Sequence, residues 1–199
     1  PPRSGQSGRM WKTLLVCEVV LVSAHAHHHG HGPCRLLHDI MVDFNLDNYM
    51  GVWYPLLGWS NSQEGDVKGK CSKETISHQH GNITITEESI SERSGPHTSS
   101  HHAWQDHPKE GKITLWMFHA IKVPFWVVDT DYKNWSVVYS CTGDETDYLK
   151  TLLVLGRGRD FSKLWKDPEA KKNIRRSLRR SSLLRLKDLT SINQTDCVN

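Results

Sequence analysis

Residues 124–141 read Pro-Phe-Trp-Val-Val-Asp-Thr-Asp-Tyr-Lys-Asn-Trp-Ser-Val-Val-Tyr-Ser-Cys, and this stretch decides the fold. Its two apolar runs, 125–130 and 135–141, are rich in β-branched and aromatic residues, which favour strands. The short connection between them, 131–134, is typical of a hairpin. The stretch therefore predicts two neighbouring antiparallel strands in a β-rich domain.

Similar segments extend this pattern in both directions. Each is short, has strand-like composition and is bounded by turn residues such as Gly95-Pro96. The remaining clear segments are 51–59, 70–79, 82–91, 112–118 and 148–155, with the His-rich 98–105 as a further candidate. A chain built of such segments predicts an all-β barrel or sandwich.

The pattern changes near the C terminus. Asp167-Pro168-Glu169 is a good helix start, because Pro suits the first turn and acids suit the positive end of the helix dipole. Ala170, Ile174 and Leu178 then recur at four-residue spacing. One amphipathic helix is therefore predicted, ending near Ser181-Ser182 or one turn beyond, and an extended segment, 190–197, closes the chain.

The N-terminal region predicts a targeting segment. Residues 1–9 precede Met10 and are interpreted as upstream translated sequence or a remnant of cloning. An apolar stretch then leads to Ala24-His25-Ala26, the small-x-small pattern of a signal-peptidase site, so residues 10–26 are predicted to be a secretory signal peptide. Glu18 inside that stretch leaves a buried N-terminal strand as the alternative. Residues 27–33 are expected to form a His-rich flexible tail, and 34–199 the folded domain.

Cysteines and glycosylation motifs also favour a secreted, extracellular protein. Of the five cysteines, Cys17 lies in the proposed signal, and the other four contain no CxxC pair. Two disulfides in an oxidising compartment are expected, and sequence alone allows three pairings. The remaining cysteines are Cys34, Cys71, Cys141 and Cys197, and Asn-x-Ser/Thr sequons begin at Asn82, Asn134 and Asn193.

Three short motifs occur in order along the chain. The first is the segment 45–54 with its Gly51-Val52-Trp53, the second is Thr130-Asp131-Tyr132, and the third is Arg157. Together with 124–141 they closely resemble the lipocalin family, in particular its apolipoprotein D-like and bilin-binding members. The resemblance covers roughly residues 34–197.

The resemblance implies an eight-stranded up-and-down antiparallel barrel with one C-terminal α-helix packed outside. It also implies the disulfide pairs Cys34–Cys141 and Cys71–Cys197. A barrel that holds a ligand must be closed at one end, and Trp53 covered by the Arg157 guanidinium would close it by burial and cation–π attraction. Gly51 would let the entering backbone pass close beneath the barrel, where a side chain would clash.

The function that the resemblance implies is a carrier of a small hydrophobic ligand, and no cofactor is required. Side chains alternate inward and outward along barrel strands, so Leu149, Thr151 and Leu153 should share the inward face with Arg157. On the other strands both parities stay open. The preferred inward candidates there are Trp126, Val128, Val137 and Tyr139, followed by Trp116 and Phe118. Such an aromatic calyx would suit a bilin, retinoid, sterol or fatty acid, whereas the polar segment 70–79 indicates an unusually polar mouth.

Two features outside the barrel support alternative functions. Cleavage after Ala26 would leave His27-His28-His29 at a free amine, and one amine, two amides and the His29 ring can bind Cu(II) or Ni(II). The plain alternative is a solvated tail. The predicted helix carries positive charges at four-residue spacing, where they repel one another. This fits weak contact with a polyanion or a membrane surface, or a solvated outer face. These charges are Lys171, Lys172, Arg175, Arg176, Arg179 and Arg180.

An enzyme is not expected. The sequence contains no GxSxG, HExxH or phosphate loop, and the cysteines left after signal cleavage are assigned to disulfides. His101-His102, His107 and the acids Glu87-Glu88 lack the local helix that would place metal ligands on a common face. Nucleic acid is not an expected partner of a secreted chain either, and the net charge of only +3 confines any basic effect to the helix.

Overall fold

The structure is a computed structural model that describes residues 30–31, 34, 39–61, 69–79, 81–91, 94–117, 120–144, 147–182 and 184–197. The predicted signal peptide, the proposed metal-binding His27, His28 and His29, and the ligand candidate Phe118 lie outside these ranges. In the described ranges no helix combines the length and the apolar character that a membrane span requires.

Ten strands form in the described ranges, and eight of them close a barrel. They are β1 Gly30–His31, β2 Gly51–Ser60, β3 Lys70–Gln79, β4 Asn82–Ser91, β5 Gly95–Gln105, β6 Lys112–Met117, β7 Ile121–Thr130, β8 Trp135–Gly143, β9 Asp147–Gly156 and β10 Thr190–Ser191. Strands β2 to β9 pair in chain order, and β9 closes on β2. The expected up-and-down barrel is confirmed, including the His-rich eighth candidate, which is β5. The short strands β1 and β10 lie outside the barrel, against β9 and β2.

Three α-helices flank the barrel strands along the described parts of the chain, one before them and two after them. They are α1 Leu46–Tyr49, α2 Phe161–Lys166 and α3 Pro168–Ser182. The predicted amphipathic helix is α3, and Asp167 caps it, since its Oδ1 accepts the amides of Glu169 at 2.9 Å and Ala170 at 3.2 Å. The short helix α2, capped in the same way by Asp160, was not expected from the sequence.

Two separate apolar clusters stabilise the fold, one inside the barrel and one outside it. The inner cluster includes Phe125, Val138 and Leu155. The outer cluster joins the apolar stripe of α3 to the outward side chains of β7, β8 and β9, among them Val137 and Leu152. These three strands are therefore buried on both faces, and we call them the helix-covered wall.

Polar contacts and disulfides fix the outer elements to the barrel. The hydroxyl of Ser177 in α3 donates to Asp129 Oδ2 of β7 at 2.5 Å, and Arg180 approaches the same carboxylate at 3.4 Å. Both implied disulfides are present, Cys34–Cys141 and Cys71–Cys197, with Cα–Cα distances of 5.8 and 5.5 Å. The second joins positions 126 residues apart. A crosslink that closes so long a loop restricts the unfolded chain and stabilises the fold by about 4–5 kcal/mol in the loop-entropy model.

Candidate ligand-binding site

One end of the barrel is closed by Trp53 and Arg157. Trp53 is fully buried, and its indole N–H donates to the Tyr49 carbonyl at 2.9 Å. The Arg157 guanidinium lies 3.7 Å from the centroid of the Trp53 ring. This is the expected arrangement, in which the cation covers the aromatic face and excludes water from it.

Arg157 also ties together the chain segments that meet at this end. It donates from Nε to the Tyr132 carbonyl and from Nη1 to the Val52 carbonyl, both at 3.0 Å, and from Nη2 to Asn48 and Tyr49 at 3.3 and 3.2 Å. Partial burial lowers the pKa of Arg157, yet an arginine remains charged at any physiological pH. One side chain therefore donates to four carbonyls and ties residues 48–52 to the turn at Tyr132.

Gly51 is required where the chain enters β2. Its φ is +99°, and a Cβ there would lie 3.2 Å from Nη1 of Arg157. Any other residue would meet both a strained backbone and a crowded guanidinium. The glycine belongs to the closed end, as its place in the motif indicated.

The turn between β7 and β8 completes this end. Asp131 Oδ1 accepts the amides of Lys133, Asn134 and Trp135 at 2.7–3.1 Å. This turn presents the Tyr132 carbonyl to Arg157, so the three sequence motifs meet at one place.

Inside the barrel, between this closed end and the opposite mouth, lies a cavity of about 760 Å³. Most of its lining is apolar, from β6 through β9: Leu115, Met117, Ile121, Val123, Pro124, Phe125, Val138, Leu149 and Leu153. The rest is Glu74, Glu87, Ser140, Thr142, Gly143, Asp144 and Thr151.

The predicted ligand residues divide between the cavity and the outer surface. Leu149, Thr151 and Leu153 line the cavity, as their shared parity with Arg157 predicted. The choice of parity on β7 and β8 was wrong, because those side chains pack in the outer cluster beneath α3. They are Trp126, Val128, Val137 and Tyr139.

Trp116 also points away from the cavity, and half of its surface is exposed (50%). Its neighbours Leu115 and Met117 line the cavity instead. Phe118 lies outside the described residues.

The wrong parity has a physical cause. Because α3 covers the outer face, alternate residues of β7 and β8 are apolar on both sides, so alternation carries no signal. A β-bulge at Val128 also breaks the register between β7 and β8. The apolar stripe of α3 was a signal that the outer wall is apolar too, but it does not identify which residues face the cavity.

Three acidic residues of the lining, Glu74, Glu87 and Asp144, were not predicted from the sequence as ligand contacts. Glu74 on β3 is only 1% exposed, and it pairs directly across the strands with Glu87 on β4. The polarity of the segment 70–79 on both parities was the signal for an acid on the inner face.

The other candidate groups lie on the surface or do not converge. Asn82, Asn134 and Asn193 are exposed. On β5, His101 is buried and bonded to Ser99, whereas His102 is exposed. Across the described ranges, no group of three His, Cys, Asp or Glu side chains is placed to hold a metal ion.

The basic face of α3 is largely exposed. The cations Lys172, Arg175, Arg176, Arg179 and Arg180 face solvent, whereas Lys171 is partly buried. Lys171 and Arg175 also lie over the Trp165 ring, at 4.8 and 5.2 Å from its centroid. Contact with a polyanion or a membrane surface through this face stays a prediction.

Comparisons with known proteins agree with this architecture. The sequence model of the triabin family matches residues 26–172. Apolipoprotein D of Mus musculus is 29% identical over 106 residues, which cover 52% of this chain and 54% of that protein. The Lazarillo protein of Schistocerca americana is 28% identical over 131 residues, covering 61% of this chain and 59% of that protein. The chain thus spans little more than half the length of these curated relatives.

Among solved structures, insecticyanin from the tobacco hornworm Manduca sexta superposes with a TM-score of 0.66 at 17% identity. The superposition covers 85% of this chain and 90% of insecticyanin. At this identity the likeness concerns the fold.

Proposed function

This chain belongs to the triabin family and is an apolipoprotein D-like lipocalin, and from that premise we propose that it is a carrier, not an enzyme. The cargo is a small hydrophobic molecule held inside the barrel, such as a bilin, retinoid, sterol or fatty acid. The disulfides, which are typical of oxidising compartments, support secretion as the setting for this role.

The observation that carries the proposal is the cavity. Its volume of about 760 Å³ lies within the range of about 300–1,000 Å³ typical of small-molecule sites. One wall is almost entirely apolar, and the plug of Trp53 and Arg157 closes the far end. Such a space takes up an apolar molecule from one side and shields it from water.

The proposed contact residues follow from the lining. Leu149, Thr151 and Leu153 of β9 would contact the ligand from one strand, and Phe125 and Val138 from the strands beside it. Burial of apolar surface drives binding at roughly 25 cal/mol per Å². Shape and apolar area would therefore decide affinity, whereas the few polar side chains would decide orientation.

The test is displacement of a fluorescent apolar probe, 1-N-phenylnaphthylamine, from the purified chain with both disulfides formed. The described cavity lining contains no Trp, so probe displacement is a better readout than quenching of intrinsic fluorescence. We expect saturable probe binding with one site, and competition by retinol or a long-chain fatty acid.

A matched pair of variants locates the site. Ser140→Trp places a large ring in the cavity, because Ser140 lines it, whereas Ser100→Trp makes the same change on the exposed outer face of β5. We expect the first to weaken probe binding at least tenfold and the second to leave it unchanged. Equal affinities for both variants, or no saturable binding to the wild type, would contradict the carrier function.

A further inference from the structure

Positive charge is concentrated in the segment that forms α2 and α3. Residues 161–182 contain eight lysines and arginines and two acids, whereas the net charge of the whole chain is only +3. The rest of the chain is therefore net negative. A local excess of one sign attracts an oppositely charged partner, even where the net charge of the chain is small.

The cations of α3 form one continuous stripe. Four exposed side chains follow the i, i+3, i+4, i+7 spacing of a single helix face: Lys172, Arg175, Arg176 and Arg179. At a rise of about 1.5 Å per residue, the stripe runs for about 10 Å along the helix axis. Lys163 and Lys166 are also exposed, and they lie in α2, the helix that leads into α3.

Neighbouring side chains do little to neutralise this stripe. Lys172 lies 3.7 Å from Glu169, but the two side chains are 70% and 69% exposed, so water screens the pair. Arg176 donates to the side-chain oxygen of Asn173 at 2.9 Å, and this partner is uncharged. Positive charges three and four residues apart on a helix repel one another, and a bound anion would relieve that repulsion.

The apolar stripe of α3 is not available to a lipid bilayer. Ala170, Ile174 and Leu178 are at most 4% exposed, because they pack on the outer side of the barrel. A helix that lies on a membrane buries its apolar face at the boundary of the acyl chains, whereas α3 has buried its own against the strands. Its outward face offers charge instead, and the paired N–H donors of its arginines match the oxygens of a tetrahedral oxyanion.

We propose that α3, extended by α2, is a binding site for a sulfated polysaccharide. An extended polymer carries its sulfates in a row, so several of them meet the stripe at once and individually weak contacts add up. The disulfides, which are typical of oxidising compartments, favour an extracellular polymer over a nucleic acid.

This site is separate from the cavity. The cavity lies on the inner side of the helix-covered wall, and α3 packs on the outer side. The chain would therefore hold a cargo and the polysaccharide at the same time. The inference goes beyond the proposed carrier function and does not depend on it.

The experiment measures the binding of fluorescein-labelled heparin to the full chain, with both disulfides formed, by fluorescence anisotropy. We expect saturable binding at pH 7 and about 0.15 M salt, which weakens steeply as salt is added because the contacts are ionic. Heparin stripped of its sulfates keeps its carboxylates and should bind at least tenfold more weakly. Vesicles of phosphatidylcholine and phosphatidylserine should not displace heparin.

Two triple variants with the same loss of charge locate the site. The first changes the arginines of the stripe: Arg175→Gln, Arg176→Gln and Arg179→Gln. The second changes exposed lysines elsewhere on the chain: Lys109→Gln, Lys122→Gln and Lys133→Gln. We expect the first to weaken heparin binding at least tenfold and the second less than threefold. Replacing the same arginines with Lys keeps the charge but loses the paired donors, so its affinity should be intermediate.

The outcomes decide the site and its partner. If the lysine variant loses as much affinity as the arginine variant, heparin responds to net charge and the assigned site is wrong. Equal binding of desulfated heparin would refute the sulfate contacts, and displacement of heparin by the vesicles would assign the face to a membrane surface. The affinity of the cavity for 1-N-phenylnaphthylamine, measured in saturating heparin, should stay within twofold. Because probe binding and heparin binding are measured separately, failure of one proposal is distinguishable from failure of the other.

Discussion

The helix-covered wall differs from the opposite side of the barrel in what its two faces contact. We call that opposite side, β3 to β5, the open wall. Side chains of the helix-covered wall are apolar on both faces, since the cavity lies on one side and α3 on the other. The open wall faces solvent, with surface pairs such as Lys73–Glu88 at 2.6 Å and Thr86–Ser100 at 2.8 Å, and it places Glu74 and Glu87 inside.

This difference separates the wall that buries most apolar area from the wall that places Glu74 and Glu87 in the cavity. The helix-covered wall buries apolar area twice, so substitutions there should cost the most free energy of unfolding. The open wall contributes less apolar area on its outer face, but it supplies the charged groups of the cavity. The following predictions test that division, beginning with the largest effect.

Leu178→Ala should be strongly destabilising. Leu178 of α3 is fully buried against the strands beneath the helix. Truncating a buried Leu typically lowers the free energy of unfolding by about 2–5 kcal/mol. Thr86→Ala on the outer face of the open wall should cost only about 0.2–1 kcal/mol. Urea unfolding with intact disulfides measures both. Similar losses for the two variants would contradict the division between the walls.

Arg157→Ala tests the closed end, which joins the two walls. Loss of the cover over Trp53 and of four hydrogen bonds to carbonyls should lower stability by roughly 1–3 kcal/mol. Arg157→Lys keeps the charge but loses the planar fork, so most of the loss should remain. Thermal unfolding followed by circular dichroism measures this, and an unchanged melting temperature in Arg157→Ala would refute the plug.

Asp167→Ala should destabilise the first turn of α3 without altering the cavity. It removes the acceptor for the first amides of α3, and loss of an N-cap typically costs about 1 kcal/mol. Affinity for the apolar probe should stay within twofold of the wild type, because α3 packs on the outer face. Hydrogen exchange of the first-turn amides should accelerate. A large loss of probe affinity would show that the two faces are coupled.

Tyr49→Phe tests the base of the barrel. It removes a hydrogen bond of 2.9 Å to Ser136, worth about 0.5–1.5 kcal/mol. Burial raises the pKa of Tyr49 above its ordinary value. Stability from the neutral phenol is therefore fully present below about pH 10, the usual unfolded value, and is lost as pH rises beyond it.

Unfolding midpoints between pH 8 and 11 check this sign. The wild type should lose stability more steeply than Tyr49→Phe above pH 10. Ser136→Ala is the matched control, because it removes the same hydrogen bond but keeps the phenol, so it should retain the alkaline loss. Parallel pH profiles for the wild type and Tyr49→Phe would contradict the assignment.

Local patterns in the sequence were enough to predict most of the architecture. Strand composition and turns located the barrel strands, and Asp167 with the apolar stripe of α3 located the helix. Resemblance to lipocalins added the disulfide pairs and the contact of Trp53 with Arg157. These features depend on residue type and spacing, so they can be recognised one segment at a time.

Tertiary structure alone decided which side chains face the cavity. Val137 packs under α3, whereas Val138 lines the cavity. Because α3 covers the outer face of β8, both faces of this strand are apolar, and residue type does not distinguish them. The pairing of Glu74 with Glu87 follows from the register of β3 and β4, since a shift by one residue would turn an acid to the other face. Sequence determined the elements and the closed end, whereas strand register and the cover of α3 determined the chemistry of the cavity.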